Sequence, residues 1–333
     1  METSRTERRS TINARLIGGV QTAPAGRDLA PHVVEFRGVK ITAEGILFRD
    51  DQIMGGSFAR AENFRRWTRK RQNKRYDQKL STRKFRAVES VVWVTDDWSK
   101  GYFHWLADVL PKLVIAADRL ATSKLLLPSH FRGSALVADS LALFGITNFE
   151  FIDPSETIIA DTFHLPVHVQ ESGDFDSGVI REVRRILTEA AGSDEGPHDK
   201  RIYISRKYAK RRRVVNEDEL INVLRDFAFE TVYAEELSFR DQIRLFSSCH
   251  SLISAHGAGL ANMLFMPERS RIIEFRKIDD RSSDCFVNMA VALGHEFHVQ
   301  PCPATDEDQA PYSADLAVDI RSLRIDLDRV FAK

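Results

Sequence analysis

A chain of 333 residues is long enough for two domains of ordinary size. Its 43% apolar and 29% charged residues describe a folded protein rather than a disordered one, and its zero formal net charge gives no whole-molecule attraction to nucleic acid or to a membrane. Three cysteines, Cys249, Cys285 and Cys302, are an odd number without C-x-x-C spacing, which argues against a disulfide framework and for a reducing compartment.

Residues 1–30 are polar, lack the apolar stretch of a secretory signal, and read as a flexible lead-in. No uncharged apolar run approaches the roughly 18 residues of a membrane helix. The expectation is a cytoplasmic protein, with membrane contact at most peripheral. Short apolar stretches at 33–36 and 46–48, separated by Gly38 and Gly45, predict strands. Between Arg60 and Arg86, 12 Lys and Arg residues stand against Glu62 and Asp77, with Phe64, Trp67, Tyr76 and Phe85 interleaved. Such a run is either a solvated surface or a face for an anionic glycan or the anionic inner leaflet.

The run 91–94 predicts a buried strand leading into Gly101 and a helical pattern through residue 120, interrupted by Pro111. Residues 125–127 read as a strand ended by Pro128. Residues 134–144 read as a helix closed by Gly145, 149–152 and 162–167 as strands, and 176–191 as a helix with Val179, Val183, Ile186 and Leu187 on its apolar side. The polar segment 192–198, with Gly and Pro, marks a linker. Beyond it, 201–205, 231–233, 252–254 and 271–275 read as strands. Asn216 and Glu219 have capping-box spacing before a helix to residue 227, and Ser238 opens another helix through Ile243 and Phe246. Alternating strands and helices predict a doubly wound parallel sheet. The expected class is α/β, with a lead-in at 1–30 and domains at 31–195 and 196–333.

The strongest chemical signal runs from Leu252 through Ser254, Ala255, His256, Gly257, Ala258, Gly259 and Asn262. A strand enters small residues and then a helix. Two glycines admit a bound group close to the backbone, and the N–H groups at the helix start favour a phosphate. The bend lacks both the full G-x-G-x-x-G pattern and the Walker lysine, so packing alone explains the glycines equally well. Arg206, followed by Lys207, falls just past a strand, where α/β sheets bind ligands, and a guanidinium there can pair with a diphosphate. The nearby run Arg211, Arg212, Arg213 reads more simply as a solvated loop. Glu274, in an apolar strand, can accept from ribose hydroxyls or form a salt bridge with an arginine. His104 and Asp108, four residues apart, share one helix face. Either can take a proton from an acceptor hydroxyl, or the pair can be structural.

These segments resemble glycosyltransferase family 61, which includes bacterial capsule-type transferases, plant xylan-decorating enzymes and animal O-linked N-acetylglucosamine transferases. The resemblance rests on Tyr102-Phe103-His104-Trp105-Leu106-Ala107-Asp108-Val109-Leu110-Pro111-Lys112-Leu113, on Tyr203-Ile204-Ser205-Arg206, on Asn216-Glu217, on the stretch from Ser254 to Asn262, and on Ile273-Glu274-Phe275, in that order. It implies a GT-B fold: two Rossmann-like domains facing a cleft, donor on the C-terminal side and acceptor on the N-terminal side. It further implies inversion at the anomeric carbon without a metal or other cofactor. The co-substrate is a nucleotide-diphosphate sugar, a uridine diphosphate sugar by default. The expected acceptor is a capsular or cell-surface glycan, free or lipid-linked, with Asp108 or His104 as base. Arg206, Lys207, Ser254, His256, Gly257, Ala258, Gly259, Asn262 and Glu274 are the expected donor site. No Asp-x-Asp triplet follows a strand, in keeping with a metal-free reaction whose leaving-group charge meets Arg206, His256 and backbone N–H groups.

Four other readings compete. Residues 60–86 and 206–213 can bind nucleic acid or another polyanion, although no nucleic-acid motif is present. A hydrolase using Ser254 and His256 lacks the G-x-S-x-G elbow. A zinc site from Cys249, His250, Cys285, His295, His298 or Cys302 matches no common spacing. A catalytically inactive donor-binding scaffold keeps the site without the reaction.

Overall fold

The computed structural model describes residues 30–50, 52–71, 83–167, 173–192, 198–280, 283–306 and 308–331. The lead-in at 1–29, most of the predicted linker and the middle of the basic stretch, with Tyr76, lie outside these residues. The chain divides into two compact units, the first ending at Ser172 and the second beginning at Gly173. The helix Ser177–Ala191, which precedes the linker in sequence, packs inside the second unit. Among the described residues no helix is long and apolar enough to cross a membrane.

The first unit holds seven strands: β1 (His32–Thr42), β2 (Leu47–Arg49), β3 (Gln52–Ile53), β4 (Lys84–Val92), β5 (Lys124–Leu127), β6 (Phe149–Phe151) and β7 (Glu156–Val167). Their order is β3-β2-β1-β7-β4-β5-β6. β1 runs antiparallel to both β2 and β7, and β2 to β3; β4 is parallel to β7 and β5, and β5 to β6. The sheet is therefore mixed, where two Rossmann-like halves were expected. The Gly45 turn returns the chain as a hairpin, which only antiparallel pairing permits over so short a connection. Val39, Ile41, Val91, Trp93, Ile158 and Phe163 meet in its core.

The second unit holds β8 (Lys200–Ile204), β9 (Phe229–Val232), β10 (Cys249–Ala255), β11 (Arg271–Lys277) and β12 (Glu296–Cys302). The sheet order is β12-β11-β10-β8-β9, and every pair is parallel. Counted from β8, this is the doubly wound order 2-1-3-4-5, whose switch point lies between β8 and β10. β10 and β11 are buried along most of their length because both faces of the sheet are covered. Helices Glu217–Asp226 and Ile320–Phe331 cover one face with Leu220, Leu224, Leu323 and Leu327. Helices Ser177–Ala191, Phe239–Ser247 and Cys285–Leu293 form the other layer. Ser177–Ala191 is capped by Asp176, which accepts from the Val179 N–H at 2.9 Å. It buries Ile180, Val183, Leu187 and Ala191 at helical spacing and ends at Gly192 in the left-handed region.

Asn216 occupies an N-cap position, but its side chain makes no capping bond. Its amide pairs with the backbone of Val318 instead, donating to the carbonyl at 2.8 Å and accepting from the N–H at 3.0 Å. The capping-box reading fails here because a chain segment about a hundred residues away competes for the same side chain.

Candidate functional site

The carboxyl ends of β8 and β10 flank the switch point, and the two most informative sequence segments follow them. Ser254 is buried in β10 and its hydroxyl donates to the Ile204 carbonyl at 3.0 Å, tying the two strand ends together. That bond commits the hydroxyl proton inside the sheet. His256 continues the ladder, its N–H donating to the Phe275 carbonyl at 3.0 Å. Gly257 follows with extended backbone, and residues Ala258–Phe265 form a 3-10 helix. Glycine leaves room here that any side chain would take from Arg206. A Cβ built there would stand 1.9 Å from Nη1 of Arg206.

Arg206 thus lies against the bend. Its Nε donates to the Arg212 carbonyl and its Nη2 to the Arg211 carbonyl, each at 3.1 Å. Arg212 folds back over the same place with a positive φ of 58° and a buried Nε that has no hydrogen-bond partner. Among the described residues neither guanidinium makes a salt bridge. Burial pulls Arg206 below the usual arginine range. Burial, with the charges of Arg206 and Arg211, brings Arg212 down to about 10. Two clustered, partly desolvated cations without a salt-bridged carboxylate have the chemistry to take up an anion. The loop is held by Arg213, which pairs with Asp315 at 2.7 Å. Backbone bonds from Leu316 to Arg213 and from Val215 to Leu316 complete the clasp.

Glu274 is placed differently from the ribose role expected of it. It is fully buried in β11, and its two oxygens are taken by His256 Nδ1 and by Arg276, whose Nε donates at 2.8 Å. The parallel register that sets Ser254 beside Glu274 brings this carboxylate under His256. The His256 ring also meets the edge of Phe286 at 5.1 Å. Glu274 therefore orients His256. Asn262 is likewise buried, donating to Gln242 and to the Gly259 carbonyl at 3.1 Å each, and anchors the 3-10 helix. Gly259 packs on Ile204, while Ala258 and Lys207 face solvent beside the bend. Glu217 accepts from the Tyr203 hydroxyl at 2.7 Å and the Ser205 hydroxyl at 2.8 Å, shaping the β8 end. Sequence reasoning did not assign Arg212, Glu217, Arg276 and Asp315 to the site. The advance signals were the run Arg211–Arg213 and, for Glu217, its place in the Asn216-Glu217 segment of the family resemblance. No group of three or more His, Cys, Asp or Glu side chains able to hold a metal ion is found among the described residues.

His104 and Asp108 lie in the first unit. His104 Nδ1 is 2.8 Å from Asp108 Oδ2, and Asp108 is buried. Between them the helix widens into a π turn, Trp105–Val109, the sort of irregularity often found at functional positions. The His104 ring packs 4.9 Å from Trp98, which in turn receives the guanidinium of Arg60 at 4.6 Å.

The second unit is thus an α/β domain with a glycine bend and an apposed arginine at the switch point of its sheet. The family model for Glycosyltransferase 61 matches residues 102–273, more than half of the chain and inclusive of His104, Asp108, Arg206 and His256. The chain belongs to glycosyltransferase family 61. It is 31% identical to the EGF domain-specific O-linked N-acetylglucosamine transferase of Mus musculus over 131 residues, 37% of this chain and 24% of that protein. It is 31% identical over 128 residues to the Drosophila melanogaster protein of the same name, again 37% of this chain and 24% of that protein. It is 33% identical over 100 residues to the protein O-linked-mannose beta-1,4-N-acetylglucosaminyltransferase 2 of Pan troglodytes, 28% of this chain and 17% of that protein. The chain therefore spans less than a quarter of the length of each of these three relatives.

Proposed function

We propose that the protein transfers a sugar, with inversion, from a nucleoside diphosphate sugar to a saccharide acceptor. In this reading the two units form a GT-B enzyme, the second holding the donor and the first the acceptor. The observation that carries it is the guanidinium of Arg206 laid against Gly257, with Arg212 near it and, among the described residues, no salt bridge to either. As the bond from the anomeric carbon to the diphosphate oxygen breaks, negative charge grows on that oxygen. Arg206, Arg212, His256 and the N–H groups of the bend stabilise it, which is the role a divalent ion plays elsewhere. The acceptor oxygen bonds to the anomeric carbon from the opposite face, and its proton passes to the His104–Asp108 pair. The acceptor is a capsular or other cell-surface glycan, reached at the cytoplasmic side of a membrane.

The relatives' names specify N-acetylglucosamine, so uridine diphosphate N-acetylglucosamine is the first donor to test. Calorimetry should show saturable donor binding, insensitive to EDTA, that falls about a hundredfold or more in Arg206→Ala, as expected for a charge-assisted bidentate contact. Undiminished binding by Arg206→Ala, across a panel of nucleotide sugars, would overturn the reading.

A further inference from the structure

Glu274 is buried and committed to His256 and Arg276, so the ribose hydroxyls of a nucleotide need another acceptor. The carboxyl edge of the sheet supplies one next to Arg206. Strand β9 adjoins β8, and the residues past its end are Tyr233, Ala234 and Glu235. Glu235 is exposed, and its charge is felt by Arg206. The turn after β8 carries Tyr208 two residues beyond Arg206, closed by the Ala209 N–H donating to the Arg206 carbonyl at 2.9 Å. The Tyr208 ring rests against Tyr233 at 5.2 Å between centroids, tilted by 46°. It is supported on that side yet leaves 59% of its surface in water. A large aromatic ring fixed in place and left open, beside an anion site, has the form of a stacking platform.

We infer that the ends of β8 and β9 form the nucleoside subsite, with the base stacked on Tyr208, which Tyr233 supports, and the ribose hydroxyls donating to Glu235. The physical logic is that of doubly wound sheets in general, where the diphosphate sits at the switch point and an acidic residue past the second strand takes the ribose. Stacking recognises the π-face common to all bases, so Tyr208 contributes affinity, while the choice of base is made elsewhere. The inference rests on the diphosphate reading of Arg206.

The test is calorimetric titration of the full chain with uridine diphosphate, guanosine diphosphate, 2′-deoxyuridine diphosphate and inorganic pyrophosphate. Tyr208→Ala should weaken binding of the preferred nucleoside diphosphate about tenfold or more and leave pyrophosphate within about twofold, in line with alanine substitutions at stacking sites. Tyr208→Phe should bind like the parent. Glu235→Gln should shrink the preference for the ribonucleotide over the 2′-deoxy form. Unchanged nucleotide affinity in both Tyr208→Ala and Glu235→Gln overturns the inference, as does a parallel loss of pyrophosphate in Tyr208→Ala. So does a parent protein that binds pyrophosphate no more weakly than either nucleoside diphosphate; all three outcomes leave the anion site standing. A parent protein that binds none of the four probes removes the underlying diphosphate reading as well.

Discussion

Nη1 of Arg206 occupies the space in which a side chain on Gly257 would begin, 1.9 Å from an ideal Cβ at that position. The obstacle is the far end of a flexible side chain, so Gly257→Ala can be accommodated if Arg206 swings away. The folded state should lose about 1–3 kcal/mol, because moving Arg206 breaks its bonds to the Arg211 and Arg212 carbonyls. Donor affinity should drop tenfold or more, because the guanidinium leaves the bend. Gly259→Ala meets only a methyl of Ile204 at 3.2 Å and should keep most of the affinity. Thermal melts paired with calorimetric titration of both variants check this.

The buried chain His256–Glu274–Arg276 makes a separate prediction about stability. Glu274→Ala leaves the Arg276 guanidinium inside the second unit without its main counter-charge, at a cost of about 3–5 kcal/mol. The second unit should melt on the order of 10 °C lower. Replacing both residues, as Glu274→Ala with Arg276→Met, should recover part of that loss, since no stranded charge remains. Urea unfolding of the two variants beside the parent measures it. A single variant as stable as the parent would show that the carboxylate is not needed to hold the arginine.

The contrast between these residues explains what a sequence can and cannot disclose. β8, β10 and the bend after β10 were legible because apolar runs, glycines and strand ends are local signals. The partnership of Glu274 with His256 was not, although both had been singled out. It arises from the parallel register of β10 with β11, which no local pattern encodes. Arg212 was hidden within a basic run whose simplest meaning is solvation. Its role follows from a clasp with Asp315, 102 residues beyond Arg213. The helix Cys285–Leu293, the strand Glu296–Cys302 and the helix Ile320–Phe331 were missed altogether, and the mixed sheet of the first unit was unforeseen because strand direction depends on pairing and not on composition.

His295 gives the second unit a dependence on pH. Its Nε2 donates to the Met263 carbonyl at 3.0 Å, and Nδ1 is buried without a partner, so the neutral ring fits and the charged one does not. Burial, above all, lowers its pKa from the usual 6.5 to about 4. Between these values the unfolded chain binds the extra proton and the folded one does not. The stability tied to His295 is therefore complete above about pH 6.5 and is lost as the pH falls toward 4, to a total of about 3 kcal/mol. His295→Gln, which keeps a donor near Nε2, should flatten this part of the profile. The measurement is urea unfolding at a series of pH values, and parallel profiles for parent and variant would refute the assignment.

The His104–Asp108 pair bears on the chemical step of the proposed reaction. The carboxylate is buried and 2.8 Å from Nδ1, held by a helix widened at the π turn, so it can orient the imidazole or share the proton that the acceptor loses. Asp108→Asn preserves shape but removes the negative charge. If the pair is the base, kcat should fall about a hundredfold or more, the range of general-base contributions. Donor affinity, which the proposed function assigns to residues of the second unit, should be unchanged. His104→Gln should show the same split between kcat and donor binding, and the double variant should be little worse than either single one, since groups acting as a unit are not additive. Turnover near the parent level in Asp108→Asn, with turnover lost in His104→Gln, would place the proton on the imidazole alone. Parent-level turnover in both would move the base to another residue.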